Sequence, residues 1–125
     1  DEWAHAGNYT EYLVAARRVD AYLKELWETV QSLPQYRNRT TLLLTTDHGR
    51  GPAPTGWKSH GATISGADAI WLAAMGPDTP ALGEVSGGAE ATQSQVAATV
   101  AHLLGEDFRG AFPDAAPPIA AVIGG

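Results

Sequence analysis

Between Tyr12 and Leu33 the apolar residues recur at helical spacing: Tyr12, Ala16, Val19, Leu23, Leu26, Val30 and Leu33 are separated by steps of four and three, and Glu11, Arg17, Arg18, Glu25 and Glu28 fall between them. Such a stripe predicts one long amphipathic helix. Asn8 followed by Glu11 supplies a capping box, and Pro34 supplies the stop. A coiled coil would need more than about three heptads, and a strand follows at once, so the helix is expected to cover a sheet. The run Thr40 to Thr46 is apolar or β-branched throughout, the pattern of a strand buried on both faces of a parallel sheet. Ala69 to Met75 is a second such strand, ended by Gly76 and Pro77. Between them, residues 49 to 68 are rich in Gly, Pro, Ser and Thr and form a long loop of the kind that more often carries function than not. In "TQSQVAATVAHLLG", Thr92 and Gln95 form a second capping box. Val96, Val100, Leu103 and Leu104 form the expected buried face, and Gly105 the C-cap. The Pro/Ala/Gly-rich stretch 110–125 is expected to be a loosely ordered tail.

The order helix, strand, loop, strand, helix predicts an α/β fold, part of a three-layer αβα sandwich with a mostly parallel sheet. At 125 residues and 44% hydrophobic the chain suffices for one domain with a core. About two to four strands would leave open edges and an uncovered face, so the domain is expected to be incomplete by itself. The missing initiator Met and charged first residue lead to the same expectation, a piece of something longer. A net charge of −6, with eight scattered basic residues, offers no footprint for nucleic acid and no polybasic membrane patch. No apolar run approaches the roughly 20 residues of a membrane span, so a soluble chain is expected. With no cysteine there is neither disulfide nor thiolate site, which suits a cytoplasmic or an exported protein equally.

The candidate chemistry lies with three of the four histidines: His5 in "DEWAHAG", His48 in "TTDHGRG" and His60 in "WKSHGAT". Imidazole with carboxylate is the usual ligand set for zinc and also suits manganese. Asp1 and His5, four apart, share a side on a helical turn. Asp47 and His48 would face opposite ways along a regular strand but can both enter one cleft at its end, where sites of open α/β sheets lie. Each pair alone also fits a solvated helix face or a polar turn. His102 is read as a partly exposed helix residue, Arg50 and Lys58 as surface cations that could contact an anionic substrate, and Trp57 and Trp71 as packing for loop and sheet.

Taken in order, "DEWAH", "TTDHGRG" and "WKSHG" resemble the C-terminal part of the alkaline phosphatase superfamily. That group includes nucleotide pyrophosphatase/phosphodiesterases, cofactor-independent phosphoglycerate mutase, phosphopentomutase and sulfatases. The resemblance runs from Asp1 to about Gly105. It implies a metalloenzyme domain over residues 1–109 followed by the 110–125 tail. It assigns Asp1, His5 and His60 to one divalent metal ion and Asp47 and His48 to a second. It also implies that the Ser or Thr nucleophile and one more Asp lie in a segment upstream of Asp1, which would leave this chain inactive and weakly metal-binding by itself. Zinc is the first expectation for both ions and manganese the second; calcium suits three histidines poorly. The implied activity is two-metal hydrolysis of a small-molecule phosphate or sulfate ester. A metal-dependent phosphomutase, or a non-catalytic metal-binding domain, is the alternative. Nothing in the chain resembles a sugar-phosphate recognition element, which favours the hydrolase.

Overall fold

A computed structural model describes residues 1–88 and 90–124. It contains helices α1 (Glu2–His5) and α2 (Tyr9–Ser32), strands β1 (Leu42–Thr45) and β2 (Leu72–Met75), and helices α3 (Val96–Leu103), α4 (Phe108–Ala111) and α5 (Ala120–Ile123). Two compact units are present: Asp1–Asn38 with Leu43–Ala73, and Arg39–Leu42 with Ala74–Gly125.

In the first unit, α1 is closed just beyond its C-cap Ala6 by Gly7, whose φ of 71° is the left-handed conformation that ends a helix. The Gly7 N–H donates to the Ala4 carbonyl at 2.9 Å and the Asn8 N–H to the Trp3 carbonyl at 2.9 Å. The next helix then starts immediately: the Asn8 side chain accepts from the Glu11 N–H at 3.2 Å, as the capping signal requires. Because the Asn8 N–H is committed to Trp3, the cap is one-sided rather than a reciprocal box. Leu33 ends α2 in extended backbone ahead of Pro34.

No residue of α2 is buried. Its half-buried positions include Tyr12, Ala15, Leu23, Trp27 and Val30, whereas Val19 and Leu26, central to the apolar stripe, are 54% and 50% exposed. The helix thus has the predicted length and amphipathicity without the predicted cover. Its first turns meet the loop: Trp57 lies edge-on to Tyr9 at 5.4 Å between ring centroids and 6.0 Å from Tyr12. Trp57 therefore packs the loop as expected, while Trp71 is 54% exposed and does not pack the sheet.

The two strands pair with each other and run antiparallel. Thr45 donates its hydroxyl to the Trp71 carbonyl at 2.8 Å, and Thr41, at the opposite end of β1, lies against Gly76 beyond the far end of β2. The parallel pairing expected from apolar composition is therefore corrected. β1 is half-buried along its length, but β2 alternates half-buried Leu72 and Ala74 with exposed Ala73 and Met75, the one-sided pattern of an antiparallel strand. Alanine fits either environment, so the run "LAAM" carried no information about its second face.

The second unit is held by α3. Thr92 and Gln95 form the reciprocal capping box, set on a short 3₁₀ turn at Gln93–Gln95 that leads into the helix. At the other end the Gly105 N–H donates to His102 O and the Glu106 N–H to Ala101 O, both at 2.9 Å, the double bond of a Schellman stop. The fully buried residues are Ala98 and Thr99; of the expected face, Val96 and Leu103 are half-buried, while Val100 and Leu104 are 42% and 75% exposed. What buries Ala98 and Thr99 is the C-terminal stretch expected to be loose. Ile119 and Val122 are 6% and 5% exposed, the Ile119 N–H donates to Thr99 Oγ1 at 2.9 Å, and Gln95 Nε2 donates to Pro117 O at 3.0 Å.

Thr99 is fully buried, and its hydroxyl both accepts from Ile119 and donates to Gln95 O at 2.7 Å. Replacing it by the near-isosteric Val leaves the buried Ile119 N–H without a partner, so Thr99→Val is expected to destabilise the unit by about 1–3 kcal/mol. Thr99→Ser keeps the hydroxyl and should cost less. Denaturant melts of the three proteins check the ordering; equal midpoints for wild type and Thr99→Val would refute it.

Candidate metal centre

The cluster is assembled within the first unit from three stretches. Asp1 is the N-cap of α1 and His5 its last residue, so one helical turn sets them side by side: His5 Nε2 lies 3.0 Å from Asp1 Oδ2. Asp47 and His48 follow the end of β1. His60 comes from the loop after the short 3₁₀ turn Gly56–Lys58.

Close backbone packing brings the last two stretches together. The Gly49 N–H donates to Ala67 O at 2.8 Å and the Gly51 N–H to Ser59 O at 3.1 Å. A Cβ at Gly49 would collide with the carbonyls of Gly66 and Ala69, and one at Gly51 with the carbonyl of Gly56. Neither glycine has a positive φ. Their role is close approach of main chains rather than the sharp turn that "DHGRG" suggests.

Around the Asp1 carboxylate, His48 Nε2 lies 3.7 Å and His60 Nε2 3.5 Å from Oδ1. The His48 and His60 rings stack at 3.5 Å between centroids and 11° between planes, and His5 Nε2 lies 3.1 Å from His60 Nε2. One ligand atom each from Asp1, His48 and His60 falls within a 4.8 Å span. His48 donates from Nδ1 to the Gly49 carbonyl at 2.8 Å. A carbonyl can only accept, so the neutral ring carries its proton on Nδ1 and presents a lone pair at Nε2, the atom that faces Asp1.

Asp47 stands apart: its carboxylate is 88% exposed, with Oδ1 accepting from the His48 N–H at 3.0 Å and Oδ2 3.7 Å from His48 Nε2. All five sequence-derived candidates thus lie in one neighbourhood, but the tightest group joins Asp1 and His60 to His48 and leaves Asp47 at the edge. His102 is exposed on α3 in the other unit.

Arg50 is the participant that sequence reasoning set aside. Its side chain is 14% exposed and donates from Nη2 to Asp1 Oδ1, with Nη2 also 3.4 Å from Asp1 O and Nη1 3.3 Å from Trp57 O. A surface arginine after a glycine and this one look alike in sequence; the available signal was its place three residues past Asp47 in the same loop.

A family model described as Metalloenzyme superfamily matches residues 1–107, a span that includes all these residues. The chain belongs to the Metalloenzyme superfamily. This family falls within the alkaline phosphatase-like superfamily, so the resemblance drawn from the three motifs holds at that level. No significant match is found among curated proteins or among solved structures.

Membership in the Metalloenzyme superfamily implies metal ions and a metal-dependent enzyme, and the donor set fits a divalent cation. Imidazole lone pairs and a carboxylate oxygen converge, one ring is already held in the ligand tautomer, and the His5 and His60 Nε2 atoms, 3.1 Å apart, gain from a shared positive centre.

The electrostatics favour the neutral ring at His60. The His60 pKa is lowered from the ordinary 6.5 by the partial burial of its ring and by the nearby His48, His5 and Arg50, against a smaller raising effect of Asp47. Between that lowered value and 6.5 the unfolded chain binds the proton and the folded chain does not, so stability falls as pH drops through this window and is recovered above it. An NMR titration should give a His60 midpoint below 6.5, and His60→Gln should flatten the melting temperature between pH 7 and 5. A midpoint at or above the ordinary value would refute the reading.

Proposed function

We propose that the Asp1–His60 cluster is the metal centre of a hydrolase acting on phosphate or sulfate esters of small molecules. Asp1, His5 and His60 hold one divalent ion, and His48 with Asp47 serves a second. Zinc matches the donors best, with manganese next. The observation that carries the reading is the convergence of His5, His48 and His60 on the two oxygens of Asp1, at 3.0 to 3.7 Å. Ions bound there would polarise the ester oxygens and activate a hydroxyl nucleophile.

The chain's own residues supply the rest. Asp1 Oδ1 faces both His48 and His60, so its carboxylate can serve neighbouring centres on the scale of the roughly 4 Å that separates paired catalytic ions. The Nδ1 bond of His48 to the Gly49 carbonyl keeps that ring aimed, and the low proton affinity of His60 keeps it available near neutrality. Among candidate hydroxyls in this chain, that of Thr45 is committed to the Trp71 carbonyl. The resemblance puts the attacking Ser or Thr, and a further Asp, before Asp1.

Turnover of p-nitrophenyl phosphate, bis(p-nitrophenyl) phosphate and p-nitrophenyl sulfate is to be measured with zinc, manganese or chelator, for this chain and for a form extended upstream of Asp1. The expected result is chelator-sensitive turnover by the extended form, lost by at least about 100-fold in His60→Ala; loss of three or more decades is within the range of such centres. Metal binding without turnover in either form would leave only a structural metal site and refute the hydrolase. Turnover by the 125-residue chain alone would refute the upstream nucleophile.

A further inference from the structure

We propose that Arg50 is the positioning residue of this centre: its guanidinium holds the Asp1 carboxylate and the His60 loop in register, so that the ligand atoms converge before an ion arrives. The inference rests on the reading of Asp1 as a metal ligand. An arginine is charged at every relevant pH, and at 14% exposure it needs partners for its fork of N–H donors. Those partners come from two distant stretches. Nη2 reaches the Asp1 carboxylate and main-chain carbonyl, and Nη1 reaches the Trp57 carbonyl, three residues before His60. Behind the guanidinium lies the Tyr12 ring, 6.0 Å from its carbon to the ring centroid, and Trp57 packs on the same ring. Arg50 follows the Asp47–His48 pair, so a single side chain spans all three stretches that supply the cluster.

The oxygen it holds is Oδ1, the one that faces His48 and His60. A carboxylate oxygen has two lone pairs, and occupying one with Arg50 leaves the other directed at the imidazoles. Without that bond the carboxylate is free to rotate about its own axis, and its remaining hold is His5 on Oδ2. The arginine's positive charge works against a nearby dication, so orientation and repulsion oppose each other, and substitutions separate them. Lysine keeps the charge but not the fork; alanine removes both.

The test is calorimetric titration of the chain with Zn²⁺ and with Co²⁺, alongside the Co²⁺ d–d absorption spectrum, for wild type, Arg50→Lys, Arg50→Ala and His60→Ala. Groups that orient metal ligands typically contribute about 10–100-fold in affinity. Arg50→Ala is expected to bind more weakly by that factor, Arg50→Lys to recover part of it, and both to show altered Co²⁺ band intensities; melting temperatures in chelator, lowered most in Arg50→Ala, measure the lost packing separately. Arg50→Ala binding as tightly as wild type or more tightly would overturn the proposal, since repulsion would then outweigh orientation. Should Arg50→Ala fail to fold, Arg50→Lys decides the matter, and wild-type affinity and spectrum in that variant would overturn it. Uptake of no metal by the wild-type chain and by the form extended upstream of Asp1 refutes the proposed function itself. Binding that is lost in His60→Ala but untouched in both Arg50 variants refutes the role of Arg50 alone.

Discussion

A single carboxylate sets the geometry of the first unit. Asp1 is reached by His5 from its own helical turn, by His48 and Arg50 from the end of β1, and by His60 from the following loop. Of the two carboxylates nearby, Asp47 is 88% exposed and lies 3.7 Å from His48, while Asp1 is the one that all four groups approach. The chain must therefore bring three separated stretches to one point. It does so with main-chain contacts at Gly49 and Gly51 on one side and the Tyr9, Tyr12 and Trp57 rings on the other.

These supports have different physical characters. The glycine contacts admit no side chain, so they fix distance by exclusion. The aromatic contacts fix the loop by area and ring geometry. Arg50 spans the two, since it leaves the glycine-bounded loop and ends above Tyr12. The second unit is organised differently, around the Thr99 hydroxyl and the turn-capped helix α3, and none of the sequence-derived candidate ligands belongs to it.

Much of this was legible in the sequence, for local reasons. Caps are contacts between near neighbours, so Asn8, Thr92, Gln95 and Gly105 could be read directly. The i, i+4 pairing of Asp1 and His5 is equally local. The long amphipathic helix was read correctly as a helix, but a stripe records which face could be buried and not what buries it, and Val19 and Leu26 stay exposed. Strand direction was misjudged because buried composition was taken as a sign of parallel pairing, while β2 is built largely of alanine, which suits one buried face or two. The tail was misjudged because its Pro/Ala/Gly content hides two side chains, Ile119 and Val122, that close on Ala98 and Thr99 from 20 residues away. Arg50 escaped for the same reason: its partners are Asp1 and Trp57, and no spacing rule connects positions 49 residues apart.

The hydrogen bond from His48 Nδ1 to the carbonyl of Gly49 has one more implication. Its acceptor belongs to the main chain, and every amino acid that could stand at position 49 brings the same carbonyl. The instruction that selects the tautomer of His48 is thus written in the path of the backbone rather than in the identity of any residue. A substitution scan would register position 49 as intolerant of bulk, from its crowding against Gly66 and Ala69, and would give no sign that the same peptide unit also directs a proton.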